Sequence, residues 1–156
     1  RRMTVEEIVA TWQPLVEAMP DKKWLFTVSP IRHVKDGLHE NHINKGILLQ
    51  AVEQLTKQTG CSYFPAYEIM LDELRDYRYY AEDMVHPSSM AVEYIWQRLV
   101  ETYMTADTQA EMKTLHQLWR DEHHRFIHPD SMEAKRFLER LGQKKHELQE
   151  DYPWIE

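Results

Sequence analysis

Trp24-Leu25-Phe26-Thr27-Val28-Ser29, closed by Pro30, is a nearly continuous apolar run of β-formers, too short for a helix. A run without polar alternation reads as a strand buried on both faces, which is the habit of parallel sheets. A second run, Cys61-Ser62-Tyr63-Phe64, ends at Pro65. Between the two, Ile47, Leu48, Ala51, Val52 and Leu55 recur at helical spacing, with Asn44 as the expected N-cap and Gly60 as the stop. Strand, helix, strand over this length predicts a βαβ unit with a right-handed crossover. Two strands cannot bury both faces of a parallel sheet, so the reading calls for further strands and treats the chain as the later part of a larger sheet domain. The opening Arg1-Arg2-Met3 agrees with a piece of something longer.

Upstream, Thr4-Val5-Glu6-Glu7 is a capping box, and the helix it starts carries Val5, Ile8, Val9, Trp12, Leu15, Val16 and Met19 on one stripe. Pro14 is expected to kink it. The segment from Ile31 to Asn41 reads as a loop at the carboxyl end of the first strand, where α/β proteins place ligand-binding residues. Arg32 and His33 lie there as candidates to orient a substrate, with a structural ion pair as the other reading of Arg32. Downstream, residues 67–80 are rich in charge and aromatics and read as an irregular or helical excursion.

That excursion leads to Asp83-Met84-Val85-His86-Pro87-Ser88. An Asp three residues before a His puts a carboxylate and an imidazole within reach of each other. The carboxylate would fix the ring through Nδ1 and leave Nε2 to take a proton from a hydroxyl nucleophile. The competing reading is structural: Asp83 starts a turn, His86 sits at a helix N-cap and Pro87 takes the first helical position. Either way a helix follows to about Thr102, with Val92, Trp96, Leu99, Val100 and Tyr103 inward, and its N-terminal dipole disfavours imidazolium at His86. From Thr105 onward two helical patterns without strand signal predict a hairpin, the second helix capped by Asp130 with Glu133.

Composition bounds the function. With 156 residues the chain is large enough for a core, and no run is long enough to span a bilayer. A net charge of −7 with scattered Lys and Arg argues against nucleic-acid and anionic-membrane surfaces. The lone Cys61 excludes an internal disulfide, and with no signal-peptide pattern a cytoplasmic setting is expected. Four glycines without a phosphate cradle count against nucleotide chemistry. No cofactor is expected. No metal is expected either, because His39-Glu40-Asn41-His42 misses the zinc-protease spacing by one residue, and His123, His124 and His128 suit the negative end of a helix. Ser29 lacks the glycines of a nucleophile elbow and precedes a proline, and Ser88 and Ser89 read as helix-start residues.

Four blocks, Thr27-Val28-Ser29-Pro30-Ile31-Arg32-His33, His39-Glu40-Asn41, Tyr67-Glu68-Ile69 and Asp83-Met84-Val85-His86-Pro87-Ser88, follow an order that resembles the GSCFA-domain family, a branch of the SGNH or GDSL-like hydrolases. The resemblance covers residues 1 to 103. It implies the C-terminal part of a three-layer α/β/α flavodoxin-like sheet domain over residues 1–104, followed by a helical extension over 105–156. It also implies that Asp83 and His86 are the catalytic Asp and His. The nucleophilic Ser of the family's Gly-Ser-Cys-Phe-Ala motif and the oxyanion blocks are absent from this sequence. Glu40 and Asn41 are expected to order the loop. The expected function is a serine esterase acting on small-molecule or carbohydrate esters such as O-acetyl groups, with acyl transfer as a variant. The alternative is a non-catalytic carbohydrate-binding or assembly module, for which residues 77–80 offer stacking aromatics. Self-association through the C-terminal helices is a further expectation.

Overall fold

The computed structural model describes residues 1–155. Two compact units are present, the first spanning Arg1–Thr102 and the second starting at Tyr103. In the first, α1 (Val5–Glu17) opens with the capping box, Thr4 accepting the Glu7 N–H at 3.3 Å and Glu7 accepting the Thr4 N–H at 2.9 Å. The helix continues through Pro14. Its buried side chains are Val9 and Val16.

β1 (Leu25–Phe26) pairs in parallel with β2 (Ser62–Tyr63), Leu25 opposite Ser62 and Phe26 opposite Tyr63. Between them runs α2 (Leu38–Thr59). The expected three-layer α/β/α sheet domain is not what the chain forms: it is mostly helical, and among the described residues the only sheet has two strands of two residues each. The ladder is short because Thr27-Val28-Ser29 leaves it immediately. Val28 and Phe64, each 2% exposed, are buried outside the ladder, whereas Leu25 within it is exposed, so the strand is not buried on both faces as expected.

The second helix also differs from expectation. It starts at Leu38, six residues before Asn44, because Gly37 at φ 86° turns the chain out of the short 3₁₀ segment Val34–Asp36. His39 to Asn41 are therefore helical and not loop. Asn44 lies inside α2, its amide directed to Asp36. The stop at Gly60 is a left-handed C-cap, φ 73°, with its N–H on the Thr56 carbonyl.

α1 and α2 enclose Val9, Ala51 and Leu55, with Phe26 and Cys61 against them. A second core forms where α3 (Ala66–Glu68), continuing as a π-helical turn through Leu74, meets α4 (Ser89–Tyr103). Phe64, Ala66 and Ile69 pack there on Ile95 and Leu99, and Met70 and Leu74 on Ala91. Arg75 at φ 46° ends the turn, and Tyr77–Tyr79 forms one turn of 3₁₀ helix.

In the second unit α5 (Ala106–Glu122) is capped by Thr105 and α6 (Met132–Asp151) by Ser131, which accepts the Ala134 N–H at 3.1 Å. The expected Asp130 cap is thus displaced by one residue. Lys144 to Asp121 and Lys145 to Glu122 tie the two helices, and Leu118 and Ala134 are their buried residues. Among the described residues no helix is long and apolar enough to cross a membrane.

Candidate functional site

The loop bearing Asp83 and His86 is closed by backbone bonds at its base. The Ser88 N–H donates to the Tyr79 carbonyl at 2.7 Å, and the Ala81 N–H to the His86 carbonyl at 2.8 Å. Tyr80 and Pro87 face each other as an isolated antiparallel bridge. Inside this frame the Met84 N–H reaches the Ala81 carbonyl at 2.9 Å and Met84 takes φ 58°. A non-glycine residue in this region is uncommon and is held here by the surrounding bonds.

Asp83 uses both oxygens. Oδ1 accepts the Val85 and His86 N–H groups at 2.9 and 3.0 Å, and Oδ2 accepts the His86 Nδ1–H at 2.6 Å. The turn expected at Asp83 and the carboxylate–ring contact are thus present together: Oδ1 closes the turn and Oδ2 grips the ring. The His86 backbone N–H, then the His86 ring, then the Val85 N–H stabilise the anion and hold its pKa down at about 2. Asp83 stays ionised at neutral pH. With Nδ1–H committed to the carboxylate, Nε2 is the ring's remaining proton acceptor. Both side chains are accessible, at 49% for Asp83 and 58% for His86, so the pair adds little to stability while remaining open to a reactant. His86 is not the helix cap. α4 begins at Ser89, after Ser88 Oγ has accepted the Ala91 N–H, which places the ring three residues ahead of the helix.

His86 lines one edge of a groove of about 470 Å³, together with Pro87, Ser29, Pro30, Ile31 and Ala66, and with Val92, Ile95, Trp96 and Leu99 along α4. Ser29 and His86 bring the polar groups to an otherwise apolar lining. Ser29 Oγ accepts the Ile31 N–H at 3.2 Å, an ordinary turn bond. A second groove between α1 and α2, about 410 Å³, is lined by Arg2, Trp12, Asn44 and neighbours, none of which is a carboxylate or an imidazole.

Arg32 adjoins the loop. Its backbone N–H donates to the Val85 carbonyl at 3.2 Å, and its guanidinium lies 4.0 Å from the centroid of the Tyr80 ring. Among the described residues it forms no ion pair with a carboxylate, and its side chain rests on the aromatic face by cation–π attraction. His33 is exposed, and its N–H is bound by Asn41 Oδ1 at 3.0 Å. The structure thus brings Arg32 to the Asp83–His86 loop through its backbone, and it places His33 beside α2. Glu40 pairs with Arg2.

Two buried polar residues of α2 support this arrangement. Asn41 is 6% exposed and Lys45 3%, and Lys45 Nζ donates to the Ser29 carbonyl at 2.5 Å. The sequence assigns Asn41 a loop-ordering role, whereas nothing in its motifs singles out Lys45. A signal is present all the same: a Lys at the position that continues the inward stripe of α2 one turn after Asn41. Among the described residues no group of three or more His, Cys, Asp or Glu side chains could hold a metal ion. His123 Nδ1 instead bonds the Trp119 carbonyl at 2.8 Å, at the end of α5.

The model of the GSCFA family matches residues 1–99. The chain belongs to the GSCFA family. The matched region contains the groove, Arg32 and the whole Asp83–His86 loop, and it ends within α4. No curated protein and no solved structure matches the chain.

Proposed function

We propose that this GSCFA chain supplies the acid–base half of a serine esterase with SGNH-like chemistry, acting on carboxylic esters such as O-acetyl groups. The observation that carries the reading is the 2.6 Å contact of Asp83 Oδ2 with His86 Nδ1 at the edge of an open groove. This contact orients the ring and leaves Nε2 as the base. In the reaction a serine hydroxyl attacks the acyl carbon while Nε2 takes its proton, and Asp83 stabilises the imidazolium. As the tetrahedral intermediate collapses, the imidazolium returns that proton to the leaving alkoxide. Water then repeats the sequence on the acyl-enzyme, and a second hydroxyl in place of water gives acyl transfer. The family's Gly-Ser-Cys-Phe-Ala motif, expected to carry the serine, does not occur in these 156 residues. Ester hydrolysis by the full-length protein therefore tests the proposal, with His86→Ala as the comparison. A loss of about a thousandfold or more is expected of a triad member. Equal rates would refute the esterase reading and favour a carbohydrate-binding or assembly module.

A further inference from the structure

The stretch Ser29-Pro30-Ile31-Arg32-His33 has little backbone structure of its own. It follows the ladder, and Pro30 contributes no N–H. Apart from the Ile31 N–H bond to Ser29 Oγ, its hydrogen-bond partners come from elsewhere. At one end the Lys45 ammonium binds the Ser29 carbonyl at 2.5 Å, with the Tyr67 ring centroid 5.7 Å from Nζ. At the other end Asn41 Oδ1 accepts the His33 N–H at 3.0 Å. Between the two, the Arg32 N–H reaches the Val85 carbonyl, inside the Asp83–His86 loop. Asn41 and Lys45 are four residues apart, so they project from one face of α2 and span the segment as a pair.

Packing alone does not explain a lysine here. At 3% exposure, with no carboxylate partner among the described residues, its ammonium is stabilised by a carbonyl and an aromatic face only. Burial lowers the Lys45 pKa, which is the desolvation penalty seen from the proton's side. A methionine of similar length would fill the space without that cost. What the ammonium adds is a directed donor at the residue where the groove begins.

We propose that Lys45 and Asn41 are positioning residues that latch the Ser29–His33 segment, and so fix the Ser29-Pro30-Ile31 wall of the groove relative to His86. The role rests on the esterase reading, because the geometry being held is that of a substrate wall against a base. Neither side chain touches the reacting atoms. Their effect passes through the backbone: α2 holds the segment, the segment holds Val85, and Val85 lies between Asp83 and His86.

Lys45→Met and Asn41→Leu test the latch by amide hydrogen exchange on this chain and by steady-state kinetics in the full-length protein. The Arg32 and His33 amides are expected to exchange about tenfold faster or more, while those of Ala51 and Leu55 in the α1–α2 core stay within about twofold. In the kinetics, kcat is expected to fall about tenfold to a hundredfold with KM nearly unchanged, because a misplaced wall costs alignment more than binding. Unchanged exchange at Arg32 overturns the latch. Equal acceleration at Arg32 and Leu55 shows a packing role only and also overturns it, as does accelerated exchange with unaltered kcat. Where Lys45→Met fails to fold, Asn41→Leu reads the same segment from its other end. Should His86→Ala leave hydrolysis untouched, the esterase reading fails on that result, and the exchange data still decide whether the latch exists.

Discussion

Asp83→Asn separates the two jobs of this carboxylate. In the native loop Oδ1 accepts two backbone N–H groups, at 2.9 and 3.0 Å, and Oδ2 accepts the ring Nδ1–H at 2.6 Å. An asparagine keeps an acceptor oxygen for the two backbone bonds, so the turn should survive. At the ring it presents an amide donor where the oxygen was, and the favoured response is the other tautomer, with Nδ1 accepting and the proton on Nε2. The base is then blocked although the loop is intact. On the proposed esterase reading, the expected loss in kcat for the full-length protein is about 10⁴, the size of the loss for a triad held in the wrong tautomer. Nitrogen NMR of the His86 ring should show the proton moving from Nδ1 to Nε2. Exchange of the Val85 and His86 amides should stay within about threefold of wild type. Asp83→Ala removes both functions and should accelerate those amides as well. A tautomer and rate unchanged in Asp83→Asn would refute the reasoning, because the 2.6 Å contact would then have no chemical consequence.

The remaining predictions are simpler. Asp83 should titrate at about 2 by carbon NMR, against its usual 3.8. Because its folded value is depressed, the stability it contributes is present above the unfolded value and is lost as pH falls from about 4 toward 2. A folded-state midpoint near 3.8 would remove the hydrogen-bond argument. Leu55→Ala, at a side chain 1% exposed between α1 and α2, should cost about 2 to 5 kcal/mol in urea unfolding. A cost under about 1 kcal/mol would mean that the core closes over the deletion. Thr4→Ala should cost about 1 kcal/mol, read from the same unfolding curves, because the capping box loses its hydroxyl acceptor.

The parts of this molecule legible in its sequence are those whose partners are near in the chain. Thr4 and Glu7 satisfy each other across three residues, and Asp83 and His86 meet across three as well. Spacing alone contains that information. The apolar runs at Trp24 and Cys61 are buried in part only, at Val28 and Phe64, while Leu25 is exposed, because a strand needs neighbours and neighbours are set by contacts remote in sequence. Burial without a ladder satisfies the same hydrophobic pattern, which is why Val28 and Phe64 are inside while the sheet stops at Phe26 and Tyr63. Asn44 misleads for a related reason: a good capping residue is only one of the ways to start a helix, and Gly37 starts this one earlier through its backbone. Lys45 is the most instructive miss, since its carbonyl partner lies 16 residues back, at Ser29. On a helical wheel it is a polar interruption of an apolar face, a pattern usually assigned to the helix boundary. In the folded chain that interruption meets the Ser29 carbonyl of a segment outside the ladder, so the carbonyl and the buried charge satisfy each other.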